Sequence, residues 1–507
     1  MSQPHERDLA GLLGRLRPCN IAVIGDVMLD HYVRGQAGRL SPEAPIQILE
    51  VGDEQHMLGG AANVAHKAVG LGANVVLVGL VGDDADADEF RELLATSRRI
   101  SPRLVIDPSR CTTVKTRYIA QNQQLLRVDR EHRGIPSPYC LDQLAKAAFD
   151  AASQADAVIL EDYGKGVLSP AVIQAAIAGA ASRGTPIVVD PNGRDYRRYA
   201  GVTVLTPNVK EAEVASERAI TDDASLFEAA RVLVDQTGAS LAITRDSRGI
   251  SLFREEDNGC LRHDAIPTIP VQVYDVTGAG DAVAATLAIA LAAKIDMDDA
   301  CALANLAGRA VVRQFGVGSI SMSLLRDEVS AATGRPNKVV DLDRALERIE
   351  DVRRAGGKVV FTNGCFDILH YGHAHLLQFA RSEGDFLVLG LNTDASVQRG
   401  KGDDRPYVSE AERSYMLSLY PFVDLVVLFD EDTPLDLITA IKPDILVKGG
   451  DYTPETVVGR ELVESLGGRV SICPRLDGLS TTNIVKKILD VSRDARTPHS
   501  RGLRNTA

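Results

Sequence analysis

The spacing of apolar and polar positions predicts two successive α/β architectures on one chain. Residues 20–25 (NIAVIG) form a continuous apolar run ending on glycine, the pattern of a parallel strand covered on both faces. Residues 31–58 carry Pro42 and Pro45 among alternating segments such as IQILEV, which predicts the short strands of a flap rather than a helix. A Gly-Gly turn at 59–60 opens a helix from about Ala61, followed by a β-rich run to residue 84. The stretch 111–131 (CTTVKTRYIAQNQQLLRVDRE) predicts a hairpin turning near Gln121 to Gln124. From 139 to 242 helical and strand patterns alternate, and the strand-like AVILED, IVVDPNG, VTVLTPN and LAITRD each end in polar or turn residues. That is the pattern of a doubly wound α/β sheet with its site along one edge.

At 275–291 (DVTGAGDAVAATLAIAL) a small Gly-rich turn launches an apolar helix. A charged helical region follows over 323–352, interrupted by the polar Gly/Pro stretch TGRPNK, which reads as a linker. The architecture then restarts. Residues 358–394 give strand, Gly turn, helix and strand, the first βαβ unit of a second parallel sheet. The expected division is a first α/β unit over 1–330, a linker over 331–355, a second α/β unit over 356–490 and a disordered, Arg-rich tail over 491–507.

Composition narrows this picture without redirecting it. A length of 507 residues exceeds a single core at about 100 to 200 residues per domain. A net charge of −13 argues against nucleic-acid binding as the main activity, since phosphate backbones are repelled. The seven cysteines (19, 111, 140, 260, 301, 365 and 473) are scattered and never spaced C-x-x-C, so neither a disulfide framework nor a cysteine zinc site is indicated. The start has no basic-then-apolar signal, and the longest apolar run, 282–293, is too short to span a bilayer. The expectation is a soluble, cytoplasmic protein with no membrane partner.

The turn at 277–281 carries the first chemistry. Asp281 sits where free backbone N–H groups and the positive end of a helix converge, a place for a phosphate. A carboxylate held there can accept a proton from a hydroxyl while the amides stabilise a transferring phosphoryl group. No Gly-Lys-Ser/Thr follows the glycines, so this is not a P-loop. The alternative is a plain helix entry with Thr277 as its cap. Asn208 and Glu211, in TPNVKE, share one face of a helix start and suit Mg²⁺ held through water, or else a solvated cap. Asn63, after the Gly59–Gly60 pair, offers donor and acceptor to hydroxyls, so a sugar is the natural substrate class.

In this order and at these separations, GDVMLD, GGAAN, TPNVKE and DVTGAGD resemble the ribokinase-like (PfkB) carbohydrate kinases over about 300 residues. The resemblance implies phosphorylation of a sugar hydroxyl by ATP with Mg²⁺, and makes Asp281 the general base. By the same resemblance Asp26, Asp30, Gly59, Gly60 and Asn63 contact the sugar. Asn208, Glu211, Thr244, Gly249 and Asn305, with the turn Thr277, Gly278, Ala279 and Gly280, lie by the nucleotide or metal. The DYGKG string adds Lys165 to the phosphates. One departure is Asn192, where relatives often have lysine.

In the second half, His370 and His373 are three apart on the first turn of a helix, over its phosphate-attracting end. A metal cluster of His370, His373 and His375 is the alternative, but His375 points elsewhere on a helix and no acid or cysteine completes a tetrahedral set. GCFDILHYGH, with GKGDDRPYVSEAER, VKGGDY and LSTTNIVKKI, resembles the cytidylyltransferase-like nucleotidyltransferases. That resemblance implies attack by a substrate phosphate oxygen on the α-phosphate of a nucleoside triphosphate. His370 and His373 would stabilise the triphosphate, Lys401 and Arg413 would neutralise charge, and Ser480, Thr481 and Thr482 would present hydroxyls and a helix start. STT before an apolar helix is also simply a good N-cap. Asp367 is expected to orient the turn or the nucleotide, and Cys365 to be a buried small residue.

The two halves together are similar to the family of bifunctional enzymes that make ADP-activated heptose for bacterial lipopolysaccharide. This implies sugar phosphate substrates, O1 phosphorylation of D-glycero-β-D-manno-heptose 7-phosphate, AMP transfer from ATP to the 1-phosphate, and a homodimer joined through the flap. The residues by themselves leave open another sugar or polyol, CTP as second donor, or a sensor whose catalytic apparatus has decayed.

Overall fold

The computed structural model describes residues 8–474 except 122, 257, 269–276, 314–317, 334–337, 355, 403 and 451. The chain divides into two compact units, Met1–Thr333 and Gly334–Ala507. Among the described residues no helix is long and apolar enough to cross a membrane.

The first unit is built on a nine-stranded sheet. Its central strand, Asn20–Gly25, pairs in parallel with Ala157–Glu161 on one side and Asn74–Val81 on the other. Ile21 and Val23 enter one apolar core and Ala22 and Ile24 the other, so both faces are covered and the run has to be apolar throughout. Beyond Ala157–Glu161 lie Ile187–Asp190, Val204–Leu205 and Ser240–Thr244, all parallel, and then an antiparallel edge formed by Ile250–Glu255 and Leu261–Ile266. The chain leaves the central strand toward Asn74–Val81 and later continues on its other side. A crevice therefore opens at the carboxyl ends of the central strands, where open α/β sheets bind ligands.

The flap is a separate four-stranded sheet in the order Gln47–Gly60, Val27–Leu40, Val114–Ala120, Gln123–Arg130. Its last two strands form the expected hairpin. Helix Ala61–Gly70 follows the flap directly and packs on helix Ala279–Ala292, whose residues Ala282–Ala290 are buried almost without exception. Gly278 caps that helix at φ +78°, and a Cβ there would stand 3.2 Å from both Asn63 Nδ2 and Lys67 Nζ, so only glycine fits.

The second unit is a six-stranded, all-parallel sheet in the order Val339–Val340, Leu425–Phe429, Phe386–Asn392, Val359–Gly364, Ile445–Lys448, Arg469–Ile472. The segment read as a linker over 331–355 supplies part of this unit. Val339–Val340 is its edge strand, and helix Leu342–Arg354 buries Ala345 and Ile349 against the sheet. The helix's high charge hides a stripe at 342, 345, 346, 349 and 352, which is the apolar face of an amphipathic helix. The doubly wound fold with a β flap, followed by a Rossmann-like parallel unit, is otherwise as the pattern predicts.

Candidate active sites

In the first unit the strand ends converge on Asp281. It lies in the first turn of helix Ala279–Ala292, is 6% exposed, and accepts a hydrogen bond from Asn63 Nδ2. Tyr163 Oη stands 3.5 Å from its other oxygen. Glu161 and Asp190, each at a strand end, bring carboxylate oxygens within 4.8 Å of it and of each other. Burial pushes all three carboxyl groups up, and mutual repulsion adds to this at Glu161 and Asp190; at Asp281, Lys67 and Asn63 oppose the rise. Lys67 is itself buried, one helical turn beyond Asn63, and donates to the Gly318 carbonyl.

Several residues read as sugar contacts serve the scaffold. Asp26 accepts from the backbone N–H groups of Tyr163 (2.9 Å), Lys165 (2.9 Å) and Val167 (3.1 Å), which ties the 163–167 loop to the central strand. Asp30 is paired with Arg117. A Cβ on Gly59 would meet Asp30 Oδ2 at 2.6 Å, and one on Gly60 the Asp26 carbonyl at 2.3 Å, so this glycine pair is required by close packing on the aspartates. Lys165 Nζ is engaged by Glu131 at 2.5 Å.

A cavity of about 370 Å³ beside Asp281 gathers Asn208, Glu211, Thr244, Gly249, Gly280 and Asn305 from separate elements. Asn208 and Glu211 form a reciprocal capping box: Asn208 Oδ1 accepts from the Glu211 N–H at 2.9 Å, and Glu211 Oε2 from the Asn208 N–H at 2.8 Å. The cap uses Asn208 Oδ1 and Glu211 Oε2, which leaves Asn208 Nδ2 and Glu211 Oε1 outside it. The tight cluster of carboxylates is instead Glu161, Asp190 and Asp281. Asn305 Nδ2 donates to the Pro267 carbonyl at 3.1 Å. Thr277 and Ala279 begin the helix turn; Asp275 lies outside the described residues.

In the second unit His370 is the N-cap of helix Tyr371–Ser382, and its ring stacks on His373 with centroids 3.8 Å apart at 20°. Phe366 flanks His373 at 5.0 Å. Both Nδ1 atoms are buried without a hydrogen-bond partner. Burial, then the charges of His370 and Lys401, push His373 down to about 4, and burial lowers His370. His375 turns away, its Nδ1 3.4 Å from Cys473 Sγ, so the three histidines do not form one ligand set.

His373 and Lys401 line a cavity of about 780 Å³, together with Asn363, Cys365, Lys448 and Tyr452. Arg413 is absent from its wall. Fully buried, Arg413 donates to the carbonyls of Val408, Cys365 and Asn392 and to Asp394, so all three guanidinium nitrogens are engaged in joining loops. Asp367 likewise holds a loop, accepting from the N–H groups of Tyr407 (2.6 Å) and Val408 (3.2 Å) and pairing with Arg405. Lys448, which the sequence reading passed over, donates to Asn363 Oδ1 at 2.5 Å, and burial lowers it to about 8. Ser480, Thr481 and Thr482 lie outside the described residues.

Residues 19–324 match the pfkB family of carbohydrate kinases, and residues 361–487 match the cytidylyltransferase-like family. A protein of Pelobacter propionicus named "Bifunctional protein HldE" is 45% identical over 96% of this chain and 99% of its own length. A protein of the same name from Caulobacter vibrioides is 45% identical over 92% and 96%. The chain belongs to the HldE family. Its two activities are accordingly those of a carbohydrate kinase and a nucleotidyltransferase carried on one polypeptide. Among solved structures, the tetrameric inhibited form of phosphofructokinase-2 from Escherichia coli superposes on 63% of this HldE-family chain, and on all of its own, with a TM-score of 0.52 at 17% identity. That likeness establishes the ribokinase-like fold of the first unit.

Glu161, Asp190, Lys67 and Lys448 are functional candidates that the sequence alone did not single out. For the two acids a signal existed, since each is the polar residue closing an apolar strand run. Lys67 looked like an ordinary charge on a helix, and nothing local marks it as buried.

Proposed function

We propose that this chain makes ADP-heptose in two reactions at two independent sites. In the first unit ATP phosphorylates O1 of D-glycero-β-D-manno-heptose 7-phosphate. In the second, AMP passes from ATP to heptose 1-phosphate with release of pyrophosphate. The observation that carries the kinase reading is the placement of Asp281: a buried carboxylate on the first helical turn, beside a nucleotide-sized cavity and hydrogen-bonded to Asn63. Asp281 accepts the hydroxyl proton as O1 attacks the γ-phosphorus, and the positive end of the helix that begins at Ala279 favours the transferring phosphoryl group. The residues fit a divalent cation: Glu161 Oε2 is buried without a hydrogen-bond partner, and crowding with Asp190 makes both ionised forms costly. Mg²⁺ held by Glu161 and Asp190 beside Asp281 would supply charge neutralisation for the ATP phosphates.

In the second unit His370 and His373, both neutral near pH 7, position the triphosphate, while Lys401 and Lys448 supply positive charge around the α-phosphorus. No proton acceptor is required, because the attacking phosphate oxygen is already ionised.

The apolar side chains exposed on the flap, including Val51, Leu126 and Val128, support a homodimer formed flap to flap, and the ATP requirement supports a cytoplasmic location. The test of function is phosphorus NMR of the purified protein with ATP or CTP and a panel of sugar phosphates. Heptose 7-phosphate is expected to gain a second phosphomonoester signal, and heptose 1-phosphate a pyrophosphate diester with ATP only. Reaction of another sugar while the heptoses stay unchanged would overturn the substrate.

A further inference from the structure

Arg309 lies on helix Met297–Val312, on the same face as Asn305, Gly308 and Val312, and all four line the kinase cavity. Its side chain is 8% exposed, yet Nε and Nη1 have no hydrogen-bond partner. The nearby anion is Glu328, on helix Met322–Thr333 and 2% exposed, whose Oε2 stands 3.2 Å from Arg309 Nη1 without hydrogen-bonding geometry. Glu328 Oε1 is committed to Arg313 Nη1 at 2.5 Å. Two guanidinium groups therefore share one buried carboxylate, and of the two Arg309 is the buried one that lines the cavity.

Buried donors are ordinarily satisfied, and a buried charge is ordinarily paired. Arginine keeps its proton at any working pH and offers donors only. The matching partner is an acceptor-rich anion. The wall also carries Asp190, Glu211 and Asp246, and among the described residues the carboxylate that reaches Arg309 is Glu328. We infer that Arg309 is a nucleotide-binding residue of the kinase half, donating to acceptor atoms of ATP, and that Glu328 fixes the direction in which its guanidinium points. This rests on reading the cavity as the ATP site of the kinase.

The test is steady-state kinetics of phosphorylation by the full chain, with ATP and sugar phosphate varied separately. Arg309→Met is expected to raise KM for ATP about tenfold while kcat and the KM for sugar phosphate stay within twofold. Arg309→Lys, which keeps the charge but loses the fork, should recover part of that loss, and Glu328→Gln should raise the ATP KM by a smaller factor. Thermal melts of each variant report the contribution of the ion cluster to folding. An unchanged ATP KM in Arg309→Met, or in Arg309→Lys and Glu328→Gln should the methionine variant not fold, overturns the inference and assigns the cluster to stability. A wild-type chain with no kinase turnover on any sugar phosphate would remove the kinase reading itself, a result distinct from a normal wild type with insensitive variants.

Discussion

The proposed site of the first unit clusters the carboxylates of Asp281, Glu161 and Asp190, whereas that of the second sets a stacked histidine pair, His370 and His373, by a cavity lined by His373, Lys401 and Lys448. The acids on that cavity's wall are paired with arginines: Asp367 with Arg405, besides two backbone amides, and Asp432 with Arg399. The difference follows from the nucleophile. A sugar hydroxyl must lose its proton during attack, so a base has to stand beside it. A phosphate monoester arrives ionised, and a carboxylate at that point would only repel it. The same overall event, attack on phosphorus, is thus served by opposite electrostatics in two parallel-sheet units.

The strongest way to break this contrast is to remove each centre in turn. Asp281→Asn keeps the shape and the Asn63 contact region but cannot take a proton, and is expected to lower kinase turnover by about 10³-fold or more. Adenylyl transfer should stay within twofold. His373→Ala is expected to do the reverse, costing nucleotidyl transfer about 10²- to 10³-fold. Separate assays for phosphomonoester and pyrophosphate product read both; loss of both activities from either substitution would show that the sites are not independent.

The next effect separates holding a site together from acting in it. Arg413→Met removes four hydrogen bonds from a buried guanidinium and strands Asp394. A loss on the order of 3 kcal/mol is expected, seen as a lower denaturation midpoint of the second unit with the kinase rate intact. A variant with normal stability but an adenylyl-transfer defect would return Arg413 to the phosphates.

How far these distinctions could be read beforehand depended on whether the partner was local. The central strand 20–25 and helix 279–292 were legible because burial on both sides demands an unbroken apolar run. The histidine pair was legible because spacing of three on a helix fixes neighbours. The structural partners of Arg413 and Asp26, Cys365 and Asn392 in one case and the 163–167 loop in the other, were not legible because they are remote in sequence. Two charged residues near a site look alike in sequence, whether they face the ligand or fasten a loop. Helix 342–354 was read as charged and helical but assigned to a linker for the opposite reason: its charges were conspicuous and its five-residue apolar stripe was not.

A smaller effect tests the cationic character of the second site. Burial lowers Lys448 to about 8, so its ammonium form is present at pH 7 and is lost as pH rises through that value. Adenylyl transfer is therefore expected to fall on an alkaline limb centred near 8. Lys448→Arg, which stays charged, should abolish that limb even if its maximal rate is lower. A limb that persists in the arginine variant would place the titrating group elsewhere.

The smallest expected effect concerns Asn208, where the same two residues suit a metal site and a helix cap. The capping box engages one atom of each side chain, so Asn208→Ala should cost about 1 kcal/mol of stability. Because Asn208 also borders the ATP cavity, a slight rise in ATP KM is compatible with a loosened helix start, and the discriminating measurement is the Mg²⁺ dependence of kinase turnover. If the cation sits against Glu161 and Asp190, the concentration giving half-maximal rate should stay within twofold in Asn208→Ala and rise well beyond that in Glu161→Gln. The reverse order would move the cation to the helix start and make Asn208 more than a cap.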